Sequence, residues 1–145
     1  MLFRSASGPV NDSVYWQNNA PGLIGSPIFI EGDFLVTMRF FSQTNAPVEC
    51  YDLNTGALLW SVDVTGQTGR SLPVGLRDGR VYVVRYTESQ NDSLYALDVM
   101  TGSYLWTANV NVNLYITETG VFDSNGDFYV YGSGFKTYKL NPVNG

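Results

Sequence analysis

Ala96 to Trp106 reads ALDVMTGSYLW, and Cys50 to Trp60 reads CYDLNTGALLW. Each carries an Asp, a Thr-Gly three and four residues on, and a Trp four residues after the Gly. A glycine closing so short a turn supplies the positive φ that other residues adopt only with strain. Asp and Thr side chains hydrogen-bond nearby backbone groups and hold the turn. A Trp at a fixed distance along the next strand can bury about 150–250 Å² against a neighbouring unit. At roughly 25 cal/mol per Å² that contributes several kcal/mol before entropy is subtracted. The motif reads as a docking device between repeats.

The rest of the chain keeps the same period. Trp16, Trp60 and Trp106 stand 44 and 46 residues apart, and Gly32, Gly79 and Gly126 stand 47 and 47 apart. Pro27 and Pro73 open equivalent segments, and Gly145 follows Gly102 in the weaker copy KLNPVNG. A period in the forties means a propeller blade or a helical solenoid. The runs DFLVTMRF, RVYVVRY and DFYVYG are β-branched and aromatic without helical periodicity, and each follows a hairpin signal, EGD, RDG or SNGD. A second strand group follows each, PVECYDL, DSLYALDV and FKTYKLN, and the Thr-Gly turns lead to ALLWSVDV and SYLWTANV. Each repeat therefore reads as four antiparallel strands, and the fold class is all-β.

Composition narrows the function. The net charge is −5 and only 14% of residues are charged, with the eight Lys and Arg scattered, which argues against nucleic acid. No apolar window is long enough to span a bilayer, and MLFRSASGPVNDS has no signal-peptide core. One cysteine excludes an internal disulfide, and the lack of histidine removes the commonest general base and zinc ligand. The reading leans away from an enzyme.

With these residues in view, the sequence resembles the pyrroloquinoline-quinone-like (PQQ-like) β-propeller repeat family, whose docking motif is Ala-x-Asp-x-x-Thr-Gly-x-x-x-Trp. Ala96, Asp98, Thr101, Gly102 and Trp106 match it in full. Asp52, Thr55, Gly56 and Trp60 match with Cys50 in the Ala position, and Lys139, Asn141, Asn144 and Gly145 form a partial copy. The resemblance implies that each Trp, Trp16 included, packs on the Gly turn of an adjacent blade, in an architecture similar to WD40 propellers. Relatives include quinoprotein dehydrogenases, the lipoprotein of the outer-membrane barrel-assembly machine, kinase sensor domains and cell-surface proteins. The dehydrogenases carry a vicinal disulfide, calcium ligands and a catalytic Asp, and none of these matches here. No catalytic, cofactor-binding or metal residue is therefore assigned. The implied role is a non-catalytic binding or protein-interaction scaffold, periplasmic or at the cell surface. The alternative is a fragment of a PQQ-dependent alcohol or sugar dehydrogenase, needing PQQ and calcium, with its catalytic residues elsewhere.

A closed propeller needs about four to eight blades, more than 145 residues supply at this period. The expected organisation is one propeller segment of about three blades. Residues 1–25 form an outer strand of a preceding blade (SVYWQN) and a linker, 26–65 and 72–112 form blades, and 115–145 form an incomplete blade. Such a segment belongs to a larger propeller or pairs with a second copy, and its raw faces and edges invite association. Partners are then other blades, a second copy, or a protein or small ligand at loops Phe41 to Pro47 and Thr87 to Asp92.

Other candidates have plainer readings. DSNGD, Asp123 to Asp127, lacks the glycine and glutamate of a calcium loop and reads as a hairpin turn. GSGF, Gly132 to Phe135, opens no helix that could hold phosphate. Asn11 and Asn91 fit the glycosylation pattern by chance, Cys50 reads as a small buried hydrophobe, and Asp52 and Asp98 read as turn residues on different blades.

Overall fold

Runs of Val, Leu, Tyr and Phe pack well on a pleated sheet, and the Gly- and Asp-bearing segments between them reverse the chain. The computed structural model describes residues 14–24, 27–42, 45–66, 69–86, 93–111, 120–132 and 136–145. Among these there is no helix, and the strands form three antiparallel sheets. The first sheet holds β1 (Leu23–Ile24), β2 (Phe29–Glu31), β3 (Phe34–Phe40), β4 (Val48–Asp52) and β5 (Leu58–Val62). The second holds β6 (Arg70–Arg77), β7 (Arg80–Tyr86), β8 (Ser93–Asp98) and β9 (Tyr104–Ala108). The third holds β10 (Val121–Phe122), β11 (Phe128–Gly132) and β12 (Lys136–Leu140). We call them the first, second and third blades.

Register carries the repeat into space. Val36 pairs with Cys50 as Tyr82 pairs with Ala96, and both outer-strand pairings slip at the next residue. The third blade continues the series with Tyr129 opposite Lys139. At the β6–β7 turn both Asp78 and Gly79 have positive φ, 51° and 73°, which matches the right-handed twist of the flanking strands.

Two features differ from the sequence expectation. Val14–Asn18, expected as an outer strand, lies in no strand, although Trp16 is seated on the first blade. A docking indole marks a seam, whereas a strand also needs a sheet edge to pair with. Leu23–Ile24, expected in the linker, pairs with the far end of β3, so the inner strand of the first blade comes in two pieces where β6 is continuous.

The core lies between blades rather than within them. Val36, Val48, Cys50 and Trp60 pack against Val81, Val83, Leu97 and Val99 in the first seam. In the second, Tyr82, Val84 and Leu94 meet Phe128, Val130 and Leu140. There the Tyr82 ring stacks on Phe128 with centroids 4.4 Å apart. Each buried Val or Leu is worth about 1.5–3 kcal/mol, so the seams dominate the stability of the segment.

Candidate interaction site

The turns between the third and fourth strands are built alike. Asp52 Oδ1 accepts from the amides of Asn54 and Thr55 at 3.0 and 2.7 Å and from the Thr55 hydroxyl at 2.8 Å. Asp98 Oδ1 accepts from Met100 and Thr101 amides at 3.0 and 2.9 Å and from the Thr101 hydroxyl at 2.9 Å. The Thr55 hydroxyl, and then its amide, hold the Asp52 carboxyl below its usual range. In the third blade Asn141 takes the Asp position and accepts from Val143 N at 2.8 Å.

Three indoles cap these turns. Trp16, Trp60 and Trp106 donate Nε1–H to the carbonyls of Leu53, Val99 and Pro142 at 2.8, 2.8 and 3.0 Å. In each case the acceptor directly follows the Asp or Asn of the turn. The rings lie on Gly56, Gly102 and Gly145, where a Cβ would come within 2.6, 2.9 and 3.0 Å of ring carbons. Cys50 and Ala96 sit directly across the ladder from Trp60 and Trp106, small residues that leave room for the indole.

A second device binds the blades at the same end, and sequence reasoning missed it. Both Glu31 carboxylate oxygens accept from the next blade's turn, Asp78 N at 2.7 Å and Gly79 N at 2.8 Å. Arg77, in the equivalent place, donates Nη1 to the Asp123 carbonyl at 3.0 Å. The acid takes amides and the base takes a carbonyl, so no shared residue type flags the position. Between the first two blades these turns border a cavity of about 410 Å³ lined by Glu31, Phe34, Asp78, Arg80, Asp98 and Met100, among others.

Away from the two seams, the first blade carries a buried polar network and the third an exposed ion pair. On the first blade Arg39 Nε pairs with Glu49 Oε2 at 2.7 Å, and Tyr51 Oη bonds Glu49 Oε2 and lies 2.5 Å from Arg39 Nη2. Arg39 Nη1 also donates to the Ala20 and Pro21 carbonyls at 3.2 and 3.3 Å. Burial, reinforced by Glu49, pushes the Tyr51 phenol up against the opposing pull of Arg39. On the third blade Lys139 Nζ lies 2.6 Å from Asp127 Oδ2 and over the Tyr129 ring, and Asp127 followed by Tyr129 pushes its pKa up.

At the opposite end, Phe41 and Ser42 amides bond the Asn45 carbonyl and tighten the β3–β4 loop. Arg70 lies over both Phe40 and Tyr86, at 5.2 and 5.8 Å from the ring centroids, and Ser71 N donates to Ala46 O across the seam. Ile24 and Phe41 are exposed here, at 50% and 44%. Residues 43–44 of this loop, Thr87 to Asp92 in the next, the Asn11 site, Asn91 and residues 133–135 of GSGF lie outside the described residues.

DSNGD forms the β10–β11 turn, with Asp123 Oδ1 accepting from Asn125 and Asp127 amides at 2.9 and 3.0 Å. Cys50 is fully buried in the first seam, and burial pushes its thiol to about 12. Asp52 and Asp98 each close the turn of their own blade. No group of three or more metal-ligating side chains occurs among the described residues, and no helix there is long and apolar enough to cross a membrane.

A family profile described as outer membrane protein assembly factor BamB matches residues 44–145. The chain belongs to the BamB family. BamB from Moraxella catarrhalis superposes with a TM-score of 0.54 at 21% identity, over 86% of this chain and 39% of that one. The segment thus shares the BamB β-propeller fold while spanning 39% of that protein's length. The computationally designed Ika8 protein aligns at a TM-score of 0.36 and 12% identity, over 78% of this chain and 44% of that one, and carries no argument. No curated protein matches the sequence.

Proposed function

We propose that the chain is a non-catalytic PQQ-like propeller module that binds protein partners through its loop end, in the periplasm or at the cell surface. The observation that carries this reading is how the repeating polar groups are engaged. Asp52, Thr55, Asp98 and Thr101 hold their own turns, and the three indole N–H groups bind neighbouring carbonyls. The repeated residues build the scaffold, and recognition falls to non-repeating loop-end residues such as Ile24 and Phe41. Membership in a family described as an outer membrane protein assembly factor supports assembly over chemistry and a location outside the cytoplasm. Further propeller blades are the other partners. No cofactor enters this role.

The test places a photo-crosslinking amino acid at Phe41 and, as control, at Met100 on the turn end. Cross-links to outer-membrane assembly components from Phe41 but not from Met100 are expected. Equal labelling from both positions would overturn the loop-end assignment. Saturable quenching of Trp fluorescence by pyrroloquinoline quinone with calcium, accompanied by dye-linked alcohol or sugar oxidation, would replace the scaffold with the dehydrogenase alternative.

A further inference from the structure

The cavity between the first two blades, about 410 Å³, falls at the lower end of the range for pockets that take small molecules. The β2–β3, β6–β7 and β8–β9 turns all contribute to it. Phe34, Val99, Met100 and Leu105 supply its apolar lining, while Glu31, Asp78 and Asp98 bring three carboxylates against the guanidinium of Arg80. Arg80 Nη1 donates to the Asp78 carbonyl of its own turn at 3.2 Å. The hydrogen bonds on Asp98 all fall on Oδ1, and each Glu31 oxygen takes one amide. A carboxylate can accept about four such bonds, so both acids keep acceptor capacity.

The second seam shows which chemistry suits this place. Glu31 pairs across its hairpin with Phe34 as Arg77 pairs with Arg80, so the two positions correspond. Arg77 sets its guanidinium 5.4 Å from the Phe122 ring centroid and donates to the Asp123 carbonyl. There a cation of the chain itself lies between an aromatic face and an acceptor. In the first seam the chain supplies the complementary half, an acid at the corresponding position and the Phe34 ring opposite it. An anion entering beside Arg80 would meet the repulsion of three carboxylates at close range.

We propose that this cavity binds a small organic cation: an amidinium, guanidinium or alkylammonium group on an apolar body. Its charge lies among Glu31, Asp78 and Asp98, and its body lies against Phe34, Val99 and Leu105. Carboxylates bond such a cation with charge assistance, and an aromatic face adds its own attraction. The site is at the turn end and its occupant is a free small molecule, so the inference is independent of the protein-binding role of the loops.

The test uses benzamidine, its neutral isostere benzamide and the anion benzoate, which share a ring and differ in charge. Each is titrated into the isotopically labelled chain and followed by amide chemical shifts. Benzamidine binds saturably and at least about tenfold more tightly than benzamide, and benzoate does not bind. The shifts centre on Gly32, Asp78, Gly79 and Met100, and added salt weakens the binding. Glu31→Gln keeps an acceptor for the β6–β7 amides but removes the charge, and weakens benzamidine about fivefold or more. Should that variant fail to fold, Met100→Arg, at a position 69% exposed, sets a tethered guanidinium beside the cavity and must weaken benzamidine likewise. Equal affinity for benzamidine and benzamide, saturable binding of benzoate, or no saturable benzamidine shifts in the millimolar range would each overturn the proposal. Shifts centred on Phe41 at the loop end would do the same.

Discussion

Trp60 stands directly on Gly102: a methyl group added to the glycine would lie 2.9 Å from the indole Cδ2. The glycine also holds φ at +72°. Two constraints therefore meet at one residue, a backbone conformation and a steric clearance, and substitution separates them.

Gly32 supplies the control, since its φ is +56° but nothing lies within 4 Å of an added Cβ. Gly32→Ala is expected to cost on the order of 1–2 kcal/mol, the price of left-handed backbone alone. Gly102→Ala should lose a further ~1–3 kcal/mol from overpacking against the indole. Urea unfolding midpoints of the two variants give the difference, and equal losses would mean that the contact contributes nothing.

The indole N–H can be removed while most of the ring is retained. Trp60→Phe deletes the bond to the Val99 carbonyl and should cost about 1 kcal/mol beyond the lost area. Trp60→Ala should cost about 3–5 kcal/mol by opening the seam. The check is chemical denaturation followed by circular dichroism, because the fluorescence reporter is itself altered.

Glu31 is predicted to clamp the second blade's turn from the first. Glu31→Ala should destabilise by about 1–2 kcal/mol, toward the low end for charge-assisted bonds because the carboxylate is only partly buried. The more diagnostic reading is hydrogen exchange. The Asp78 and Gly79 amides should exchange faster in the variant while amides at the centre of β7 keep their protection.

Asp52 gives a pH dependence with a definite sign. Its folded-state pKa lies below the ordinary carboxylate value, with the Thr55 hydroxyl as the leading cause. The stability it contributes is fully present above the unfolded pKa of about 3.9. It disappears as pH falls through the depressed folded value. Asp52→Asn should be less stable than wild type near neutrality, and the gap should close through that acid window. A gap that stays constant down to the acid transition would remove the turn carboxylate from the account.

Cys50 should be inert toward a thiol reagent such as DTNB in the folded chain and react on unfolding. Burial blocks access and pushes the thiol to about 12, leaving almost no thiolate at neutral pH. Rapid stoichiometric labelling without denaturant would show the first seam to be open.

What could be read in advance follows the range of each interaction. The all-β class and the repeat were legible because a turn motif is short: Asp52, Thr55 and Gly56 act within five residues, and a short pattern survives copying. The Arg39–Glu49–Tyr51 network was not, because its members meet only once β3 and β4 are paired in one register. Glu31 and Arg77 share a position but not a chemistry, so comparing repeats hid them. Trp16 shows the opposite error, where a genuine docking signal was taken to include a strand that the described chain does not form.

The indole bonds also set a schedule. Trp60 and its acceptor Val99 are 39 residues apart, and the corresponding separations for Trp16 and Trp106 are 37 and 36. During synthesis, each indole must therefore wait in water until nearly another blade has emerged, and once it is seated the next one takes its place. A nascent chain of this design always presents one fresh aromatic side chain at its growing end. Chaperone demand should consequently rise and fall with the period of the repeat rather than with total length.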